Sequence, residues 1–102
     1  MDNFIKAGNG FNYVYERELE PRKEVIVKVP SVASNKRGVN DIGWQSDGDV
    51  TLYGTLAAMP EKDGTLWQEI LVDDEVNKTV SAIKIVNNGN SKCRIIIRAI
   101  FC

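Results

Sequence analysis

Two aspartates one residue apart, Asp47 and Asp49 in GWQSDGDVTLYGTLA (residues 43–57), are the first candidates for chemistry in this chain. A close carboxylate pair divides general-acid and general-base work when a cleft gives the two groups different environments. The same pair suits calcium, which takes carboxylate and carbonyl oxygens from loops, but Asp47-Gly48-Asp49 lacks the further ligands of an EF-hand loop. The simpler reading is a hairpin tip. Asp47 then sits in the turn, Gly48 is left-handed in a bulge, and Asp49 begins a solvated strand. In that register Trp44 faces Val50 and Ile42 faces Leu52, all on one buried face. A slip of one residue would turn Val50 and Leu52 away from the other two. Gly54 falls on the same face and leaves room for a large side chain from another strand.

Nucleophilic catalysis finds little support. The chain has no histidine, so its serines and cysteines lack the commonest activating base. Ser91 and Lys92 are neighbours, but adjacent strand residues point to opposite faces. Cys93 and Cys102 on one strand would stand roughly 30 Å apart on opposite faces, too far for a disulfide. Two distant thiols make no zinc site either. Cys93 reads as a small buried hydrophobe and Cys102 as a terminal thiol. No phosphate-loop or dinucleotide glycine pattern occurs. Asn77-Lys78-Thr79 fits a glycosylation sequon, and reads as a turn in a chain with no secretion signal at its start. The expectation is therefore a protein without catalytic residues, cofactor or metal.

The aromatic residues are the stronger candidates for a binding role. In FNYVYERE (11–18), Phe11, Tyr13 and Tyr15 alternate onto one strand face. Three rings in line suit a core, an oligomer interface or a stacking platform for sugars, and the residues leave all three open. Tyr53 and Trp67 are further platform candidates. Trp67, in TLWQEILV, shares a face with Leu71, while Leu66, Ile70 and Val72 lie opposite. Either a bulge intervenes or both faces are covered, in which case a partner chain supplies cover. Arg94, Ile96, Arg98 and Ile100 make a second possible contact face.

The elements that must position these residues follow from turn signals and period-two alternation. Gly8-Asn9-Gly10, the run from Ser34 to Gly38, Asp47-Gly48, Asp63-Gly64 and Asn87-Asn88-Gly89-Asn90 punctuate the chain. Between them, EVIVKV (24–29) puts Val25, Val27 and Val29 on one face. SAIKIV (81–86) alternates Ile83 and Ile85 with Ala82 and Lys84. CRIIIRAIF (93–101) sets Cys93, Ile95, Ile97, Ala99 and Phe101 against Arg94, Ile96, Arg98 and Ile100. No amphipathic helix appears, beyond one possible turn near Asp73-Asp74-Glu75. About eight short strands in 102 residues predict a single all-β domain, 1–102, folded as an antiparallel, jelly-roll-like β-sandwich.

Charge narrows the partners. Thirteen basic and 14 acidic residues nearly cancel, and the basic ones are scattered among acids, which argues against nucleic acid and anionic membranes. ERELEPRKE (16–24) is mixed in sign and reads as a solvated loop or edge. No apolar run reaches the roughly 18–20 residues that span a bilayer.

The cadence WQSDGDVTLYGTL, LWQEI, VNKTVSAIKIVNNG and CRIIIRAIF resembles the small all-β virion proteins of tailed bacteriophages, which decorate or staple capsid subunits. No functional residue carries over position by position. The resemblance implies a non-enzymatic structural protein of a phage particle. It would be made in the host cytoplasm, located in the virion, and assembled as a dimer or trimer on a capsid or tail protein. Small β-sandwich modules that bind carbohydrate or a receptor share the same rhythm and form the alternative, with Tyr53, Trp67 or the Phe11/Tyr13/Tyr15 stripe stacking on sugar rings.

Overall fold

Alternation at period two builds two four-stranded antiparallel sheets in the computed structural model, which describes residues 3–8, 12–29, 40–71 and 80–101. The described residues form eight strands and no helix: β1 (Ile5–Lys6), β2 (Asn12–Leu19), β3 (Glu24–Lys28), β4 (Asn40–Ser46), β5 (Val50–Thr55), β6 (Gln68–Ile70), β7 (Ala82–Asn87) and β8 (Cys93–Phe101). The first sheet runs β1-β2-β8-β4 and the second β3-β7-β5-β6. Packed together they make the expected β-sandwich. Phe11, Cys102, the Ser34–Gly38 turn, the Asp73-Asp74-Glu75 segment and the Asn77 sequon lie outside the described residues, and of Ile100 only its place in β8 is described.

Side chains that switch sides at each step put one set from each strand between the sheets. Leu19, Cys93, Ile95, Ile97 and Ala99 enter from the first sheet. Val27, Leu52, Ile70, Ile83 and Ile85 enter from the second. Tyr15 is fully buried, and its ring lies 5.7 Å from that of Phe4. Tyr13 is half-buried and packs against the same core. Of the three readings left open for the stripe, Tyr13 and Tyr15 take the core one, while Phe11 lies outside the described residues. Inward parity in β2 sends both tyrosines to the core, where Tyr15 presents no ring to a partner.

The hairpin expected at Asp47-Gly48 does not form. β4 pairs with β8, placing Trp44 opposite Ile97, while β5 pairs with β7 and β6, placing Leu52 opposite Ile85 and Ile70. Ile42, Trp44, Val50 and Leu52 do all pack on one core, but from two layers instead of one. Gly48 is not left-handed either; the positive-φ glycines among the described residues are Gly8 and Gly64. Its requirement is space, because a Cβ at position 48 would stand 2.6 Å from the Cβ of Cys93. Gly54 does make the expected room: a Cβ there would meet Val80 at 2.9 Å and Ile70 at 3.1 Å.

Three links cross between the sheets at the same end of the sandwich: β2 to β3, β4 to β5, and β7 to β8. Asn87, buried at this end, ties the first link to the last. Its Nδ2 donates to the carbonyls of Leu19 (3.2 Å), Glu20 (3.1 Å) and Ser91 (3.0 Å), and its Oδ1 accepts from the Gly89 amide (2.9 Å). Its neighbour Asn88 donates its backbone N–H to the Asp49 carbonyl at 2.8 Å. Without this amide the buried Leu19 carbonyl loses its side-chain donor, whereas the part-buried Glu20 carbonyl keeps the Lys23 amide at 3.2 Å and the Ser91 carbonyl is only part-buried; an unmet buried acceptor costs about 1–3 kcal/mol. Asn87→Ala is therefore expected to lower stability by about 1–3 kcal/mol in urea unfolding. Asn87→Asp, which replaces the donor by a carboxylate facing three carbonyls, is expected to be worse at neutral pH and to recover in acid, where the protonated carboxyl donates again.

Candidate functional site

Asp47 and Asp49, the first candidates for chemistry, serve the sheet crossing. The Asp47 carboxylate accepts the Arg94 backbone N–H at 2.7 Å, and the Ser46 hydroxyl donates to the Arg94 carbonyl at 2.8 Å. The same hydroxyl accepts the Gly48 amide at 3.2 Å. Among the described residues, no three His, Cys, Asp or Glu side chains gather to hold a metal ion. What resembles a reaction centre in sequence is a clasp between β4 and the start of β8.

The site with binding chemistry lies on the outer face of the second sheet. Tyr53 of β5 stands opposite Lys84 of β7 on one side and Glu69 of β6 on the other. Trp67, just before β6, leans over the same place. The Lys84 ammonium sits 5.3 Å from the centroid of the Tyr53 ring and 4.7 Å from that of Trp67. Both distances are within reach of the ring quadrupole, an attraction of about 0.5–2 kcal/mol per ring. Lys84 is half-buried and has no carboxylate or oxygen partner among the described residues. Below this cluster Asn88 donates through Nδ2 to the Thr51 hydroxyl at 2.7 Å.

Above it, the segment between β5 and β6 folds back across the sheet. Thr55 donates its hydroxyl to the Leu66 carbonyl (2.7 Å) and accepts the Ala57 amide (3.2 Å). Glu61 reaches Lys28 of β3 at 3.3 Å. The Glu61 carboxyl is held below its ordinary value first by its own backbone amide, then by Lys28. This crossing buries Thr55 and Ala82 although both point outward. Beside it opens a groove of about 690 Å³, walled by Leu56, Leu66, Trp67 and Val80. Leu56 is 74% exposed and Leu66 87%.

The outer face of the first sheet carries the other candidates. Arg94 pairs with Glu16, Ile96 is half-buried between Glu16 and Gln45, and Arg98 stands beside Gly43 with no ion pair among the described residues. A hollow of about 540 Å³ opens beside Glu16, Trp44, Asp47 and Arg94. The indole N–H of Trp44 is shut from solvent and has no hydrogen-bond partner among the described residues.

The structure thus unites Tyr53 and Trp67, separates them from Tyr13 and Tyr15, and adds Lys84, which sequence reading missed. The missed signal was a lysine in the middle of a strand between two inward isoleucines, on the parity that meets Tyr53. The bulge or double cover expected at Trp67 resolves differently. β6 is only three residues long, so alternation lapses on both sides and leaves Leu66 and Leu71 exposed.

Cys93 is a buried free thiol beneath Gly48. Burial pushes its pKa above the ordinary 9.0; the Ser46 hydroxyl opposes this and the charge of Asp47 adds to it. Because the folded value is raised, the thiol's contribution to stability is intact below about pH 9 and is lost as pH rises through the folded value. Urea unfolding is expected to show lower stability at about pH 10 than at about pH 8, with a flatter profile in Cys93→Ala.

Comparison of the chain with protein-family models, with curated proteins and with solved structures found no match.

Proposed function

We propose that this chain is a non-enzymatic structural protein of a bacteriophage particle, a β-sandwich that decorates or staples capsid or tail subunits. The observation that carries the reading is the groove beside Trp67. Two leucines stand 74% and 87% exposed on its walls, where a monomer gains nothing from them. Exposed apolar surface gathered around a groove is the usual mark of a protein contact, which such a particle supplies through its own subunits or a second copy. Three links that alternate between sheets support the jelly-roll-like reading of the fold.

A second reading, a carbohydrate- or receptor-binding module, is favoured by the Tyr53–Lys84–Trp67 cluster, where aromatic rings and a cation share one open sheet face. The two surfaces adjoin and share Trp67, which walls the groove and also faces Lys84.

The particle reading is tested by mass spectrometry of density-banded virions from cells that make the protein. The chain is expected among the particle proteins at a copy number set by particle symmetry. Its presence in infected cells together with its absence from banded particles overturns the reading. Leu66→Asp, at an exposed position, is expected to leave the fold intact and to weaken particle binding by about tenfold or more in co-sedimentation.

A further inference from the structure

We propose that the Tyr53–Lys84–Trp67 cluster binds an acidic saccharide, a sugar ring bearing a carboxylate; this rests on the carbohydrate reading of that face and names its ligand class. Lys84 carries the argument. Its ammonium has three N–H donors, lies over the faces of two aromatic rings and makes no hydrogen bond or ion pair among the described residues. No carboxylate of the described chain approaches it: Glu69 is registered with Tyr53, and Glu61 is taken by Lys28. A cation seated between rings, with no counter-charge among the described residues, is complementary to an anion brought from outside. The ring walls displace water, so the pairing gains more than an exposed ion pair would.

The rest of the cluster suits a sugar. Trp67 and Tyr53 offer flat apolar area for the C–H face of a pyranose. Thr51 and Asn88, already joined to each other, keep an O–H donor and a carbonyl acceptor for ring hydroxyls. The exposed Glu69 adds a further acceptor.

A single-stranded nucleic acid would also use rings and a cation, but its phosphates need several cations in a row. This face carries Glu24 and Glu69, and its other lysine, Lys28, is paired with Glu61. The arrangement matches one carboxylate on the one sugar ring seated at the cluster, not a row of phosphates each needing its own cation.

The test is an amide-shift NMR titration with three probes: α-1,4-linked trigalacturonic acid, its methyl ester and a deoxythymidine dodecamer. The expected result is saturable shifts at residues 53, 67 and 84 with the acid, and binding weaker by about tenfold or more with the ester. Lys84→Gln is expected to remove that preference, Lys84→Arg to keep it, and Trp67→Ala to lose both ligands. Equal affinity for acid and ester, unchanged by Lys84→Gln, overturns the acidic ligand and leaves the carbohydrate reading standing. No shift with either sugar at about 10 mM overturns both. Shifts at these residues with the dodecamer alone overturn the proposal in favour of nucleic acid.

Discussion

The side-chain amide of Asn87 is the interaction on which the sandwich depends. Hydrophobic burial brings two sheets face to face, but it is non-directional and does not say where the chain changes layer. Crossing links carry backbone groups that no sheet ladder satisfies. Asn87 answers three such carbonyls and one amide from a single buried position. The polar end is thus held by direction and the middle by area. Asp47 and Ser46 repeat the device on a smaller scale for the link from β4 to β5, fastening it to Arg94.

With that end fixed, the two outer faces are free to differ. The first sheet is dressed with charge pairs. Arg94 meets Glu16, and Lys92 meets Glu18 at 3.2 Å and Glu20 at 3.6 Å, which holds the Lys92 ammonium above its ordinary pKa chiefly through its hydrogen bond to Glu18. Exposed pairs of this sort add little stability and mainly keep a surface in water. The second sheet has one such pair, Lys28 with Glu61, and beside it carries two rings, a lysine without an ion pair among the described residues and bare leucines. Arg98 on the first sheet likewise has no ion pair among the described residues, so what sets the second sheet apart is its open rings and exposed leucines.

Much of this was legible in the chain. CRIIIRAIF is a strand over the residues its alternation predicts, and Val27, Ile83, Ile85, Cys93, Ile95, Ile97 and Ala99 face the core as period two has them, while the side chain of Phe101 lies outside the described residues. Alternation reports which side chains are buried together, but not whether they approach from beside or from across. Hence Ile42, Trp44, Val50 and Leu52 were correctly placed in one core and wrongly joined in one hairpin. The same limit hid the cluster. Tyr53, Trp67 and Lys84 are brought together by strand order, and the order of β5, β6 and β7 is not written in any local pattern. Tyr15 shows the converse: a ring on an alternating strand carries no mark that distinguishes interior from surface.

The placement of β8 governs how the polypeptide is made. It lies between β2 and β4 in the first sheet, yet follows both in sequence. Asn87 likewise reaches Leu19 across 68 positions. Such distant pairings are slow to close. β2 and β4 share one layer only once residues 93–101 lie between them, so the first sheet closes around a strand made after both of its neighbours.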